Sequence, residues 1–301
     1  MDITGGTGTL SRAVKDKTTP LRQYLQVTFP NPRRLQQEYK AHAGELIVGS
    51  SGAPPATVGT AVDLMIRFLL DPTDVPLSAR ILFPFPAYVD VVDDLARIAG
   101  NSLRDGATGN DAFARAVWGL ALCVEAHRAG PLNSPFVSEL FIHGGFDVET
   151  MLAQATPAAL VELAALRTTA EQHLIRRLDR PFHLGPEFDA STRDGGIDRR
   201  LIAAEADLIC DGLLLDIKTQ LGGKNSVGVR KDTLSPDHLY QLIAYALLDY
   251  SDTYGINRLG LYSARYGGLH VWSLHHVTST MAGEHVNFRE LRQEIWDMLH
   301  K

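Results

Sequence analysis

The chain has 301 residues, of which 45% are hydrophobic and 21% are charged, and its formal net charge at pH 7 is -6. These values are typical of a globular protein with enough chain for a sizeable core. The negative charge argues against a protein that coats nucleic acid without sequence preference. It is compatible with a metal-dependent enzyme, because a bound cation offsets the charge of a carboxylate-rich site.

Two cysteines and the apolar runs indicate the compartment. Cys123 and Cys210 lie in apolar surroundings, which predicts buried thiols in a reducing environment. No cysteine cluster is present that would hold zinc or an iron–sulfur centre. The longest apolar runs are shorter than the roughly 18 residues of a membrane span, and the start of the chain has no apolar signal core. We therefore expect a cytoplasmic protein with no membrane partner.

The first 180 residues divide into two regions. Residues 1–57 predict an N-terminal arm and an irregular segment, because Gly and Thr dominate the start and prolines interrupt the rest. Residues 58–180 are predicted to be mainly helical. Apolar spacing predicts helices over 57–72, 111–130 and 156–178, the last with Thr156 as N-cap.

The pattern changes near residue 181. Residues 182–191 favour extended structure and residues 192–200 a polar loop, and two strands are predicted over 203–210 and 213–219. Ser235 then marks the start of a helix, because Pro236 follows it at the first helical position. A second hairpin turns at Tyr266-Gly267-Gly268, and an amphipathic helix over 288–301 closes the chain. Together these elements predict an α/β protein with a mixed central sheet flanked by helices.

Asp211-Gly212 is predicted to be the turn that joins the two strands, because a type I′ turn needs positive φ at both central positions. With that turn, Asp207 faces Asp216, and Glu205 faces Lys218 further out. Because side chains alternate along a strand, these four charged residues share one face. The other face is wholly apolar and carries Ala206, Leu208, Cys210, Leu213, Leu215 and Ile217.

Two carboxylates that face each other across strands repel. At a separation of about 4–5 Å and an effective dielectric constant near 20, the repulsion is about 3–4 kcal/mol. A divalent cation bound by Asp207 and Asp216 would offset it, since Mg²⁺ prefers carboxylate oxygens. The alternative is a solvated face with a Glu205–Lys218 ion pair.

The segments ADLICDGLLLDIKT and YQLIAYALL resemble the RecB-like branch of the PD-(D/E)xK nuclease superfamily, and the resemblance covers about residues 187–274. That branch has an Asp on one strand, D/E-x-K on the next strand and Q-x-x-x-Y on the helix that follows. The residues that match the pattern are Asp207, Asp216, Lys218, Gln241 and Tyr245.

The branch also has an upstream G-x-x-x-H or G-x-x-x-E motif on a helix, whose last residue completes the metal shell. The best match is Gly59–Asp63, where Asp63 stands in place of His or Glu. Glu125 and Glu187 are the alternatives for this ligand.

The resemblance implies a restriction-endonuclease-like core over 181–301 that forms one integrated domain with 58–180 and takes one core helix from it. It also implies metal-dependent hydrolysis of phosphodiester bonds, with DNA the favoured nucleic acid, in a defence or repair system. Asp63, Asp207, Asp216 and the backbone carbonyl of Ile217 would hold Mg²⁺ or Mn²⁺. Lys218 would position a water, and Gln241 would orient Lys218 or the nucleophile.

Basic residues near these motifs are candidates for phosphate contacts. We expect Lys224, Arg230 and Lys231 to contact the substrate backbone from a glycine-rich loop. Further candidates are Arg176, Arg177, Arg180, Arg199 and Arg200.

Other function classes find less support. No H-x-x-x-H or H-E-x-x-H spacing indicates a histidine metal site, and there is no P-loop, dinucleotide fingerprint or G-x-S-x-G motif. Two alternatives remain open. One is an inactive relative that binds DNA or a partner, and the other is a helical region that docks a protein partner.

Overall fold

A computed structural model of the chain describes residues 8–83, 85–104, 111–130, 140, 142–188, 191–194, 197–200 and 202–299. These residues form a mixed α/β structure around a five-stranded mixed sheet, which confirms the expected class. The start of the predicted N-terminal arm, residues 1–7, lies outside the described residues.

Helices account for much of the described chain. The α-helices are α1 Leu10–Lys15, α2 Pro20–Thr28, α3 Arg33–Ala41, α4 Pro55–Leu70, α5 Leu77–Arg80, α6 Pro86–Arg104, α7 Asp111–Ala129, α8 Val148–Ala153, α9 Pro157–His173, α10 Pro236–Leu248, α11 Leu274–Ala282 and α12 Phe288–Leu299. A 3₁₀ turn over Ile175–Arg177 follows α9.

The strands are mostly short. They are β1 Gly8–Thr9, β2 Phe182–Leu184, β3 Glu187–Phe188, β4 Ser191–Asp194, β5 Ile197–Arg200, β6 Ile202–Glu205, β7 Leu208–Cys210, β8 Leu213–Lys218, β9 Gly223–Lys224, β10 Arg230–Lys231, β11 Arg258–Ser263 and β12 Gly268–Ser273.

The central sheet has the strand order β12-β11-β8-β7-β2. The β8 and β11 strands are parallel, and the other neighbours are antiparallel. A parallel pair needs a crossover connection, and α10 lies in the one between β8 and β11. The topology therefore brings α10 close to the end of β8.

Both faces of the central strands are buried. Leu208 and Leu215 point into a core built largely from α4, α6, α7 and α9. Ile209 and Leu214 point into a second core built from the N-terminal helices, α10 and α12. The face predicted to carry the charges is therefore covered by helices, which excludes the alternative of a solvated strand face.

The segment expected to be irregular contains three helices, which is a correction. Pro20 and Pro55 stand at the first helical positions of α2 and α4, where the missing N–H costs nothing. Thr19 caps α2 by accepting a hydrogen bond from the Arg22 backbone N–H. Of the prolines that suggested interruptions here, Pro32, Pro54 and Pro55 stand at the starts of helices.

Most helices predicted from the sequence are present. The helices over 57–72, 111–130 and 288–301 are confirmed as α4, α7 and α12, within the described residues. The Thr156 cap is confirmed, but α9 ends at His173 and not at residue 178. The polar loop predicted over 192–200 is wrong, since β4 and β5 form an antiparallel pair there.

Two further observations concern the cysteines and the composition of the helices. Cys123 and Cys210 are buried free thiols, as predicted. Among the described helices, none combines the length and apolar composition that a bilayer crossing requires.

Candidate active site

The Asp211-Gly212 turn has the predicted conformation. The φ angles are 43° at Asp211 and 70° at Gly212, so both central residues lie in the left-handed region. The register is confirmed for the pairs Leu208–Leu215, Ile209–Leu214 and Cys210–Leu213. The local sequence therefore determines the alignment of these three pairs, and Asp207 and Asp216 are the next residues outward from them.

The strand predicted over 203–210 is broken at Ala206 and Asp207. The Ala206 N–H donates to the carbonyl of Pro186, and the Asp207 carbonyl accepts from the Gly185 N–H. The predicted pairing of Glu205 with Lys218 is therefore wrong. Glu205 lies opposite Glu187 in a separate antiparallel pair.

The break also redirects two side chains. The Glu205 carboxylate lies 3.3 Å from the Arg67 guanidinium and 3.9 Å from that of Arg128. Ala206 belongs to the second core, as Ile209 and Leu214 do, and not to the core that contains Leu208, with which it was predicted to share a face. The backbone hydrogen bonds to Gly185 and Pro186, which are distant in sequence, thus override the regular alternation of side chains between the two faces of the strand.

Asp207 and Asp216 form a strained acidic pair. The Asp207 Oδ2 atom accepts a hydrogen bond of 2.6 Å from the Ile217 N–H. Burial, followed by the charge of Asp216, raises the pKa of Asp207 to about 6. Asp216 is only 3% exposed, and burial raises its pKa even though Lys218 opposes the shift. Burial therefore makes both carboxyl groups costly to ionise, and the charge of Lys218 offsets only part of that cost.

Lys218 lies between the acidic pair and α10. Its Nζ atom is 2.6 Å from Asp216 Oδ2 and donates to Gln241 Oε1 at 3.3 Å. Burial lowers the pKa of Lys218, but the charges of Asp216 and Asp207 outweigh burial, and the net pKa is raised. The ammonium group is therefore protonated at neutral pH.

Gln241 and Tyr245 meet on one face of α10, because residues four apart on a helix are neighbours. The Gln241 side-chain amide donates to Tyr245 Oη at 3.2 Å and to Ser11 Oγ at 3.0 Å. The Tyr245 hydroxyl donates to the Glu205 carbonyl at 2.8 Å. This hydrogen-bonded chain fixes the amide oxygen of Gln241 toward Lys218. The start of α10 is the predicted one, since the Ser235 side chain accepts from the Asp237 N–H.

Asp63 lies on α4 and is 8% exposed. Its Oδ1 atom has no hydrogen-bond partner among the described residues. Burial and then the charge of Asp207 raise the pKa of Asp63 well above its ordinary value, which shows that the two carboxyl groups interact. Such a buried, unpartnered oxygen is unusual and calls for an explanation.

The two alternatives to Asp63 have other surroundings. Glu125 on α7 accepts a hydrogen bond of 2.9 Å from the Thr57 hydroxyl. Glu187 is exposed on β3. Of the three candidates, Asp63 is the one that combines burial with an electrostatic interaction with Asp207.

The residues present fit a divalent cation in part. Among the described residues, no group of three or more His, Cys, Asp or Glu side chains is arranged so that it could hold a metal ion. The unpartnered Asp63 oxygen and the raised pKa values of Asp63, Asp207 and Asp216 nevertheless describe a set of oxygen donors that a cation would stabilise. The same three carboxylates are the ones the sequence predicted.

Sequence reasoning missed three neighbours of this cluster. Arg67 is buried, ion-pairs with Asp74 at 2.9 Å and also reaches Glu205. Arg128 is 43% exposed in its side chain and lies 3.5 Å from Thr60, one turn before Asp63 on α4. Ser11 binds Gln241 from α1. The i, i+4 spacing of Asp63 and Arg67 was an available signal, whereas nothing in the sequence pointed to Ser11.

The predicted basic loop is a hairpin. Arg230 pairs with Lys224, and Lys231 with Gly223, across β9 and β10. The Arg230 guanidinium donates to the Gly222 carbonyl at 2.9 Å. Lys224 and Lys231 are exposed. The three basic residues are therefore presented on a defined element beyond the end of β8.

The other basic candidates are placed elsewhere. Arg176 and Arg177 lie in the 3₁₀ turn, and the Arg180 guanidinium lies 5.0 Å from the centre of the Phe182 ring. The side chains of Arg199 and Arg200 lie outside the described residues.

Comparisons with known proteins add no name to this geometry. A scan against protein-family models matched none, and searches of curated proteins and of solved structures each found no match. The class that the fold defines is therefore a mixed α/β protein with a buried carboxylate–lysine cluster at the end of its central hairpin.

Proposed function

We propose that this chain is a metal-dependent nuclease that hydrolyses phosphodiester bonds, most readily in DNA, within a defence or repair system. Its core would be restriction-endonuclease-like, of the RecB-like PD-(D/E)xK branch. One observation carries the proposal: Lys218 bridges Asp216 on its own strand and Gln241 on α10, with Asp207 beside them. This arrangement brings together the Asp of the first strand, the D-x-K of the second strand and the Gln of the helix.

The carboxylates of Asp63, Asp207 and Asp216, with the carbonyl of Ile217, would hold Mg²⁺ or Mn²⁺. A bound ion of this kind lowers the pKa of its water and neutralises charge on a phosphate. Asp63 Oδ1 has no other partner among the described residues, and Asp207 already contacts the backbone at Ile217. Asp63 and Asp216 are buried, so the cluster itself is shielded from bulk water.

Lys218 would act as a charged hydrogen-bond donor and not as a general base. Its raised pKa keeps the ammonium group protonated at neutral pH, so it has no free lone pair to accept a proton. In this role it would orient the attacking water or bind a phosphate oxygen. Gln241, held by Tyr245 and Ser11, would fix the direction of the Lys218 side chain.

The test is a cleavage assay on linear duplex, circular duplex and single-stranded DNA, with a matched RNA, in Mg²⁺, Mn²⁺ or EDTA. We expect cleavage only with the metals, and its loss in Lys218→Ala and Asp207→Asn. Asp94→Asn is the matched control, since Asp94 lies on α6 and its ion-pair partner among the described residues is Arg97, at 2.9 Å. Cleavage that persists in both site variants would exclude this site.

The second candidate is an inactive nuclease-fold protein that binds DNA or a protein partner. The observation that favours it is Asp63 in place of the usual His or Glu of the motif. An Asp side chain is one methylene shorter than Glu and reaches less far into the cluster. Wild-type protein that binds DNA but shows no cleavage with either metal would support this candidate.

A further inference from the structure

A large groove runs between α3 and the β9–β10 hairpin, outside the carboxylate cluster. Its volume is about 1200 Å³. One wall is a single face of α3, because its lining residues follow the i, i+3, i+4, i+7 spacing of a helix. Arg33, Gln36, Gln37 and Lys40 show this spacing, and Tyr39 of the same helix also lines the groove. The hairpin, with Lys224, Arg230 and Lys231, forms the other wall.

Hydrogen bonds hold the two walls in place. The Tyr39 hydroxyl donates to Asp232 Oδ2 at 2.6 Å, and the Gln36 amide donates to the Leu234 carbonyl at 2.7 Å. At the tip of the hairpin, Asn225 Oδ1 accepts from the N–H groups of Val227 and Val229. The groove is therefore built by fixed contacts between the N-terminal helices and the segment after β8.

The groove concentrates positive charge in a chain whose net charge is -6. Its basic lining residues are Arg33, Lys40, Lys224, Arg230 and Lys231. None of the five forms an ion pair with a described residue. Of the acidic lining residues, Asp232 is buried against Tyr39, and only Glu45 is exposed. Five unpaired cations along one groove define a site for a polyanion.

We propose that this groove binds the phosphodiester backbone of a nucleic acid and that α3 supplies two of its five basic residues. This inference rests on the proposed nuclease function. It extends the substrate interface from the hairpin to the N-terminal region, which the sequence alone presented as an arm and an irregular segment. The backbone is shared by single-stranded and duplex substrates, so both belong in the test.

The contacts are made through charge and not through bases. Proteins that hold single strands through their bases present aromatic side chains on which those bases stack. Tyr39 is the one aromatic residue among the described residues that line the groove, and it is buried. Binding is therefore expected to be independent of nucleotide sequence and strongly dependent on salt.

Chain length limits how far the groove lies from the site. Lys224 follows Lys218 by six residues, so their Cα atoms are at most about 22 Å apart. A nucleic-acid strand rises about 3.4 Å per nucleotide, so this distance corresponds to about six nucleotides. A phosphate bound near Lys224 is thus within about six nucleotides of the bond at the carboxylate cluster.

The test uses full-length protein carrying Asp207→Asn, which stops cleavage under the proposed function, with fluorescently labelled 30-nucleotide single strands and duplexes of three unrelated sequences. The groove variant is Arg33→Ala/Lys40→Ala. Its matched control is Arg34→Ala, since Arg34 is on the same helix, 74% exposed in its side chain, and outside the groove. Dissociation constants are measured by anisotropy at several salt concentrations, and thermal melting verifies that each variant folds.

We expect the groove variant to bind all three sequences at least ten-fold more weakly. The slope of log K against log salt should fall by about 1.8 on duplex or about 1.4 on single strands, since each lost phosphate contact removes about 0.9 or 0.7. Arg34→Ala should leave the dissociation constant and the salt slope unchanged. The strand type with the larger loss identifies the bound form.

Several results would overturn the groove: no binding by the wild-type sequence, an unchanged slope in the double variant, or poly-glutamate competing as well as DNA of equal charge. Different results contradict the proposed nuclease function. Groove-dependent binding by a wild-type protein that cleaves nothing supports the groove and contradicts the nuclease. If Arg33→Ala/Lys40→Ala cleaves long substrates and six-nucleotide substrates at the wild-type rate, the nuclease is supported and the groove is contradicted.

Discussion

The ammonium nitrogen of Lys218 lies 2.6 Å from Oδ2 of Asp216, two residues earlier on the same strand. Both side chains are largely buried, at 19% and 4% exposure. Two buried opposite charges are stable only together, because removing one partner leaves an uncompensated charge in the interior. The pair therefore links the stability of the fold to the chemistry of the site.

Replacing Lys218 with Ala should destabilise the metal-free protein by about 3 kcal/mol near neutral pH, since Asp216 loses its cation. The double variant Lys218→Ala/Asp216→Asn should recover a large part of that loss. Urea denaturation followed by circular dichroism measures both changes. Equal stability of wild type and Lys218→Ala would contradict a buried ion pair.

The pH dependence of stability should contain a contribution from Asp207. Its pKa rises from the ordinary value of 3.8 to about 6 on folding, so between these values the folded state binds more protons than the unfolded state. This part of the unfolding free energy therefore increases as pH falls from about 6 to about 4, and it is lowest above pH 6.

The substitution Asp207→Asn removes the titrating carboxyl group and therefore its contribution to the pH dependence of stability. In EDTA, the unfolding free energy of wild type minus that of Asp207→Asn should rise as pH falls through this window and stay level between pH 7 and 8. Urea titrations at half-unit pH steps provide the measurement. A difference that is flat from pH 4 to pH 7 would mean that Asp207 titrates as an exposed carboxylate.

Divalent cations should stabilise the fold through Asp63. At a Mn²⁺ concentration of 100 times the dissociation constant, linkage predicts a gain of about 2.7 kcal/mol. Asp63→Asn should weaken Mn²⁺ binding at least ten-fold, because it removes a carboxylate whose Oδ1 has no other partner among the described residues. Calorimetric titration gives the affinity directly.

Glu125→Gln is the matched control for that experiment, since Glu125 accepts a hydrogen bond from Thr57 and its pKa is raised by burial and not by the charge of Asp207. Its affinity for Mn²⁺ should equal that of wild type. Loss of binding in Glu125→Gln, with Asp63→Asn unaffected, would reassign the upstream ligand.

Tyr245→Phe should cost about 1–3 kcal/mol of stability, because the Glu205 carbonyl then loses its hydrogen-bond donor. The Gln241 amide also loses one of its two acceptors, so the Lys218 side chain is held less firmly. We expect kcat for DNA cleavage to fall while the affinity for Mn²⁺ stays the same. A change in metal affinity instead of kcat would argue against a positioning role.

The parts of the site that the sequence predicted are those set by local rules. Asp211-Gly212 determines the turn through its backbone conformation, and helical spacing brings Gln241 and Tyr245 together. Both features need no knowledge of the rest of the chain. The register and the helix start at Ser235 were predictable for the same reason.

The parts that were not predictable depend on tertiary contacts. The break at Ala206 arises from backbone hydrogen bonds to residues about 20 positions earlier, and it moves Glu205 away from Lys218. The place of α3 beside the hairpin depends on the Tyr39–Asp232 hydrogen bond, between residues 193 positions apart. No local pattern encodes either contact.

The most direct measurement is anomalous diffraction from a crystal soaked in Mn²⁺. The account predicts one strong peak within bonding distance of the Asp207 and Asp216 carboxylates, with Asp63 turned toward it. An empty cluster at saturating Mn²⁺, or a peak bound only by carboxylates elsewhere on the molecule, would contradict it.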